Sequence, residues 1–125
     1  MSKRKETSTN SLNREDLLAL CGIVYSMEML SGRWKLAILH KLEKDILRYK
    51  DIKKRMPNIS DRMLTLHLQE MENDGLILRT IYPEVPAKVD YQLTESARAL
   101  VPIWQALELW GSAHRELQTA ANKQT

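Results

Sequence analysis

Apolar residues recur every three or four positions between residues 12 and 74, every second position in the next stretch, and every three or four again towards the end. The first period is that of helices packed on one side, the second that of a half-buried antiparallel strand pair. Asn13 to Leu20 begins with a helix-start residue and early acids ahead of an apolar cluster, which predicts a short helix. Ile23, Met27 and Leu30 keep helical spacing until Ser31-Gly32 stops them. Arg33 to Lys44 comes next, with Trp34, Ala37, Ile38, Lys41 and Leu42 at i, i+3, i+4, i+7 and i+8. Four of those five are apolar, so one side of this helix packs. Ile46-Leu47-Arg48 is too short for a helix and reads as an edge strand for a hairpin further on. Tyr49 to Met56 is another short helix, with Ile52 and Met56 towards the core and Pro57-Asn58 as the turn that closes it.

Ser60 then caps a helix over residues 60–74, and Asp61 sets an acid at the positive end of its dipole. With Leu64, Leu68 and Met71 inward, the outer face carries Arg62, Leu66, Gln69 and Asn73, with Thr65 at its edge. Asp74-Gly75 ends the helix, the glycine taking a left-handed conformation. Ile77 to Tyr82 and Lys88 to Leu93 predict two strands, with Val89, Tyr91 and Leu93 alternating with an outward Asp90 and Gln92, and Pro83 and Pro86 stiffening the connection. A last helix, residues 94–116, carries an apolar stripe of Leu100, Ile103, Trp104, Leu107 and Trp110. Such a stripe is usually core, yet two tryptophans on a terminal helix exceed what a small domain needs, so a dimer interface is the better account of these five residues and they are assigned to it.

The fold class is therefore mainly α with one small β-hairpin. A capped amphipathic helix leading into a hairpin is the order of a winged helix-turn-helix, whose helix enters the major groove while the hairpin, or wing (residues 77–93), reaches the flanking backbone. Residues 12–116 form one such domain, between a basic disordered tail (1–11) and a frayed tail (117–125). The expected partner is double-stranded DNA. Arg62, Thr65, Leu66 and Gln69 are assigned to base edges, and Lys50, Lys53, Lys54, Ser60, Arg79 and Lys88 to phosphates. Leu66, large and apolar on a wet face, has two readings: packing against the wing, or contact with a thymine methyl.

Charge sharpens this picture. The chain of 125 residues carries only +3. Residues 33–62 hold ten lysines and arginines against four acids, a local +6, and the remainder is −3. A basic half beside an acidic half suits a polyanion. Lys3, Arg4 and Lys5 in the N-terminal tail are either a basic arm or simply solvated. No run approaches 18 apolar residues and no apolar segment succeeds the first basic residues, so neither a membrane span nor a signal peptide is expected. A single cysteine, Cys21, rules out an intrachain disulfide and fits a reducing cytoplasm. His40, His67 and His114 are isolated, so their spacing gives no metal site, and no cofactor-binding or nucleophile motif is present. No enzyme and no cofactor are expected.

These residues together resemble the HxlR-type family of bacterial winged helix-turn-helix regulators from about Cys21 to Gly111. The resemblance rests on Cys21, the block Ser31-Gly32-Arg33-Trp34-Lys35-Leu36-Ala37-Ile38-Leu39, Tyr49-Lys50-Asp51-Ile52, Ile59-Ser60, Leu64-Thr65, Leu68, Glu72, Asp74-Gly75-Leu76 and Arg79 through Val89. The wing sequence Tyr82-Pro83-Glu84-Val85-Pro86, in register with the Asp-Gly-Leu helix stop and leading to Tyr91-Gln92-Leu93-Thr94, is its most specific part. It implies a cytoplasmic homodimer, built from N- and C-terminal dimerisation helices, that binds an inverted repeat near a promoter, commonly as a repressor, with a small-molecule or oxidant effector. The family usually has Cys-Pro where this chain has Cys21-Gly22, and the position of Leu66 is commonly polar. Relatives with a cysteine here resemble thiol-based sensors, so Cys21 is either a redox or electrophile sensor or a small packed hydrophobe. With one thiol per chain, its products would be an adduct, a mixed disulfide or a bridge between subunits. The competing function is a winged-helix module for protein–protein assembly whose basic face is only solvated.

Overall fold

The computed structural model describes residues 15, 16, 19 and 21–124. The tail assigned to residues 1–11 and most of the helix expected over Asn13 to Leu20 lie outside them. Among the described residues from Gly22 on, six helices and a hairpin succeed one another: α1 (Gly22–Met29), α2 (Lys35–Lys41), α3 (Tyr49–Arg55), α4 (Asp61–Asn73), β1 (Ile77–Tyr82), β2 (Lys88–Leu93), α5 (Glu95–Arg98) and α6 (Val101–Gln124). Gly32 takes φ 91°, a value open to glycine, and so turns the chain sharply between α1 and α2. α2 is shorter at both ends than the expected Arg33 to Lys44. Its start waits for the chain to leave the Gly32 turn.

One core joins α2, α3, α4, the hairpin and the beginning of α6. Ile38, Leu39 and Leu42 meet Ile52, Met56 and Ile59 on one side and Leu64, Leu68 and Met71 on the other. Gly75, at φ 77°, reverses the chain so that β1 leaves α4 at once. β1 and β2 pair antiparallel from Ile77↔Leu93 to Tyr82↔Lys88. Leu47 adds a single bridge on the far edge of β2, exchanging both backbone bonds with Tyr91 (3.0 and 2.8 Å). The expected edge strand is thus one residue long. It is enough to tie the α2–α3 loop to the wing.

Three expectations are corrected by packing. Asp90, expected to face water, is buried. It shares a face with Thr80 and lies by Tyr82, whose phenol it holds above the ordinary range by hydrogen bonding. The C-terminal helix is not continuous over 94–116. Thr94 caps α5 by accepting from the Ala97 N–H (3.2 Å), and the chain then bends before Pro102. Proline lacks an N–H and is tolerated only in a first turn, so a new helix starts beside it. α6 also runs on to Gln124 instead of fraying after Glu116. Leu117, Gln118, Ala120 and Ala121 are good helix formers, and neither glycine nor proline interrupts them. Lastly, Trp104 belongs to the core: it is 4% exposed, and its Nε1–H donates to Glu43 Oε1 at 2.6 Å. No helix among the described residues is long and apolar enough to cross a membrane.

Candidate nucleic-acid interface

α4 begins where the Ser60 hydroxyl accepts the Met63 N–H at 3.1 Å. Its inner face is Leu64, His67, Leu68 and Met71, all buried. The opposite face presents Arg62, Leu66, Gln69 and Asn73, which lie within about 60° of arc at 100° per residue. Arg62 and Gln69 are exposed and make no hydrogen bond or ion pair among the described residues. Leu66 is 42% exposed, so it is not packed beneath the wing. Thr65 stands apart from this ridge. It lines one cleft with the Tyr49 phenol, which donates to Asp61 Oδ1 at 2.8 Å. Burial, and then the nearby Asp61 carboxylate, raise the Tyr49 pKa above the ordinary range against the opposing influence of the Thr65 hydroxyl.

The helix is held a second time from behind. Lys35, buried on α2, reaches Glu70 Oε1 at 3.3 Å, and His67 Nδ1 approaches the same oxygen at 3.3 Å. Burial pushes the Glu70 carboxyl up, but the bonds from His67 and Lys35 outweigh it and leave the pKa below the ordinary range. Neither Tyr49 nor Lys35 is marked by the sequence pattern alone as an anchor of α4. Lys35 does carry a detectable signal, since it sits three and four residues before the buried Ile38 and Leu39.

The candidate phosphate ligands are not equivalent. Lys50 and Lys54 are exposed on α3. Lys53 is half-buried, and its ammonium donates to the Ile59 carbonyl, bracing the turn that leads into α4. Ser60 is engaged as the helix cap. Arg79 lines a cleft of about 290 Å³ with Tyr49, Thr65, Leu68, Gln69, Glu72 and Tyr91, so it adjoins the reading face. Lys88 lies 4.8 Å from the centre of the Tyr82 ring. In this register Arg79 pairs with Tyr91 and Lys88 with Tyr82, which puts the two cations on opposite faces of the hairpin.

The residues assigned to an interface divide. Leu100 packs against the core and Trp104 is part of it. Ile103, Leu107 and Trp110 are exposed, Trp110 at 65%, and Trp110 stacks on His114 with ring centres 4.8 Å apart. Leu117, on one face with them at 100° per residue, extends this stripe along α6, and Leu109 on α6 and Ile23 and Met27 on α1 are also exposed. Cys21 is exposed at the N-cap of α1, where its side chain makes no capping hydrogen bond, and the nearby Val24 and Ile23 N–H groups of the helix start favour its thiolate and lower its pKa from the ordinary thiol range. Within one protomer it is no packed hydrophobe. Among the described residues no cluster of three or more His, Cys, Asp or Glu is placed to hold a metal.

Comparison with known proteins gives a consistent result. The model of the HxlR-like helix-turn-helix family matches residues 29–119. An uncharacterized HTH-type transcriptional regulator of Methanothermobacter thermautotrophicus is 42% identical over 95 residues, 76% of this chain and 72% of that protein. The redox regulator HypR in its reduced form superposes with a TM-score of 0.76 at 33% identity, over 80% of this chain and 99% of HypR. Diamide-treated YodB from Bacillus subtilis gives 0.64 at 34% identity, over 76% and 95%.

Proposed function

Because the chain belongs to the HxlR-like helix-turn-helix family and is a transcriptional regulator of the HTH type, we propose that it is a homodimer that binds an inverted-repeat operator in double-stranded DNA and represses transcription by occupying it. The observation that carries this reading is the outer ridge of α4. Arg62, Leu66 and Gln69 stand out from a helix that is fixed at its start by Tyr49 and from behind by Lys35, and none of the three is used inside the protomer. A rigid helix with a free outer edge is what entry into a major groove requires. Lys50 and Lys54 lie ahead of it on α3 and Arg79 beside it, placed to meet flanking phosphates. The exposed stripe of α6, together with α1, supplies an apolar surface for a second copy.

Cys21 provides the switch in this proposal. Its support is the exposed thiol, the helix N–H groups that favour the thiolate, and the likeness to HypR, which is a redox regulator. Binding is tested by electrophoretic mobility shift on the DNA upstream of the protein's own gene against a scrambled duplex of the same length. Equal affinity for the two rejects operator recognition. Sensing is tested by adding diamide, which takes up two hydrogens as two thiols become one disulfide. Release of the wild type but not of Cys21→Ser is expected, and equal response of both rejects the switch.

A further inference from the structure

The same ridge carries information about which bases it meets, an inference that rests on its binding DNA as proposed. Arg62, Leu66 and Gln69 form one line along α4, while Thr65 lies about 60° round the helix from Arg62, in the cleft it shares with Tyr49. Each of the three has its own chemistry at a base edge. A guanidinium matches the two acceptors O6 and N7 of guanine, and a carboxamide matches the donor–acceptor pair N6 and N7 of adenine. A bare alkyl group can offer neither, and its favourable partner in the major groove is the thymine methyl. Leu66 facing cytosine would cover the N4 amino group and leave it without an acceptor.

Spacing orders the three contacts. At a rise of about 1.5 Å per residue, Leu66 lies about 6 Å and Gln69 about 10.5 Å along the axis from Arg62. Base pairs are about 3.4 Å apart, so these offsets correspond to about two and about three steps. We propose that each half-site holds a run of about four base pairs with a guanine at the Arg62 end, an adenine at the Gln69 end, and between them, next to the adenine pair, a thymine whose methyl group rests on Leu66. Leu66 is then the specificity-determining residue that replaces a hydrogen-bond code with an apolar one.

Selection of bound sequences from random duplex DNA with the full-length wild type is expected to return that order. Replacing the thymine by deoxyuridine removes only the methyl group and should weaken wild-type binding about fourfold, the effect of one buried methyl. Leu66→Ala, altered at an exposed position, should bind the two duplexes alike. Arg62→Ala should erase the guanine preference, worth about fivefold to 160-fold, and leave the thymine preference in place. Equal wild-type affinity for the thymine and deoxyuridine duplexes overturns the assignment, as does a thymine preference retained by Leu66→Ala. If no sequence is selected at all, the DNA-binding reading itself falls with it.

Discussion

Trp104 and Trp110 are six residues apart on one helix, and their substitutions should fail in different ways. Trp104 fills the core between α2 and α6, with its indole edge against His40 at 6.4 Å and its N–H on Glu43. Truncating a buried tryptophan to alanine costs about 3–5 kcal/mol. For a domain of this size that lowers the melting temperature by about 10–20 °C. Trp104→Phe keeps most of the packing and loses one bond to a half-exposed carboxylate, a cost of about 1 kcal/mol. Trp110 is exposed and touches His114 alone among aromatic rings. Trp110→Ala should therefore leave the protomer's fold intact and raise the dimer dissociation constant. Thermal unfolding by circular dichroism at one protein concentration, paired with sedimentation equilibrium below the transition, separates the two effects. If Trp104→Ala melts within about 2 °C of the wild type and only its self-association weakens, the core placement is wrong.

Lys54→Ala and Lys88→Ala should weaken specific and nonspecific DNA binding alike, each flattening the plot of log affinity against log salt by about one unit. Lys53→Ala should in addition lower folding stability by about 1 kcal/mol in urea, because its ammonium holds the Ile59 carbonyl; unchanged stability would refute that brace. Glu70 releases its proton more readily in the folded protein than in the unfolded chain, whose value is about 4.3. Its contribution is thus present above that value and lost as pH falls through the lower folded one. An acid titration of urea stability should show a shallower decline below about pH 4.3 for Glu70→Gln than for the wild type. The effect is small because the side chain is half exposed, and parallel curves would remove Glu70 from the account. Gly75→Ala has room for its methyl group, so the φ of 77° alone should set its cost, about 1 kcal/mol in urea unfolding.

The helix–hairpin unit is legible in the chain because each of its boundaries carries a local marker. Ser60, Gly75 and the run of alternating residues after it act through their immediate neighbours, and the two strands fall where that alternation places them. Legibility ends where distant residues decide. Nothing near Lys35 announces that Glu70, on another helix, will take its charge. Tyr49 reads as an ordinary helix-start aromatic until Asp61 is brought to its hydroxyl. Trp104 and Trp110 share one apolar stripe at 3.6-residue spacing, yet only the body beneath α6 separates core from surface. Asp90 obeys the strand alternation in type, but Tyr82 closes over it. The free ridge of α4 is visible in outline, whereas the withdrawal of Thr65 from it depends on a contact with α3.

The length of α6 has a mechanical consequence. Twenty-four residues in one helix make a rod of about 36 Å, with the DNA-reading body attached at its first turns. In the dimer proposed above, two copies pair along the exposed part of that rod, so that each body rides at the end of a lever. A tilt of about 5° at the pairing surface moves the far end by about 3 Å, close to the 3.4 Å that separates adjacent base pairs. In that proposed dimer, a chemical event too small to disturb the fold of either protomer would put one reading head out of step with its half-site while the other remains seated.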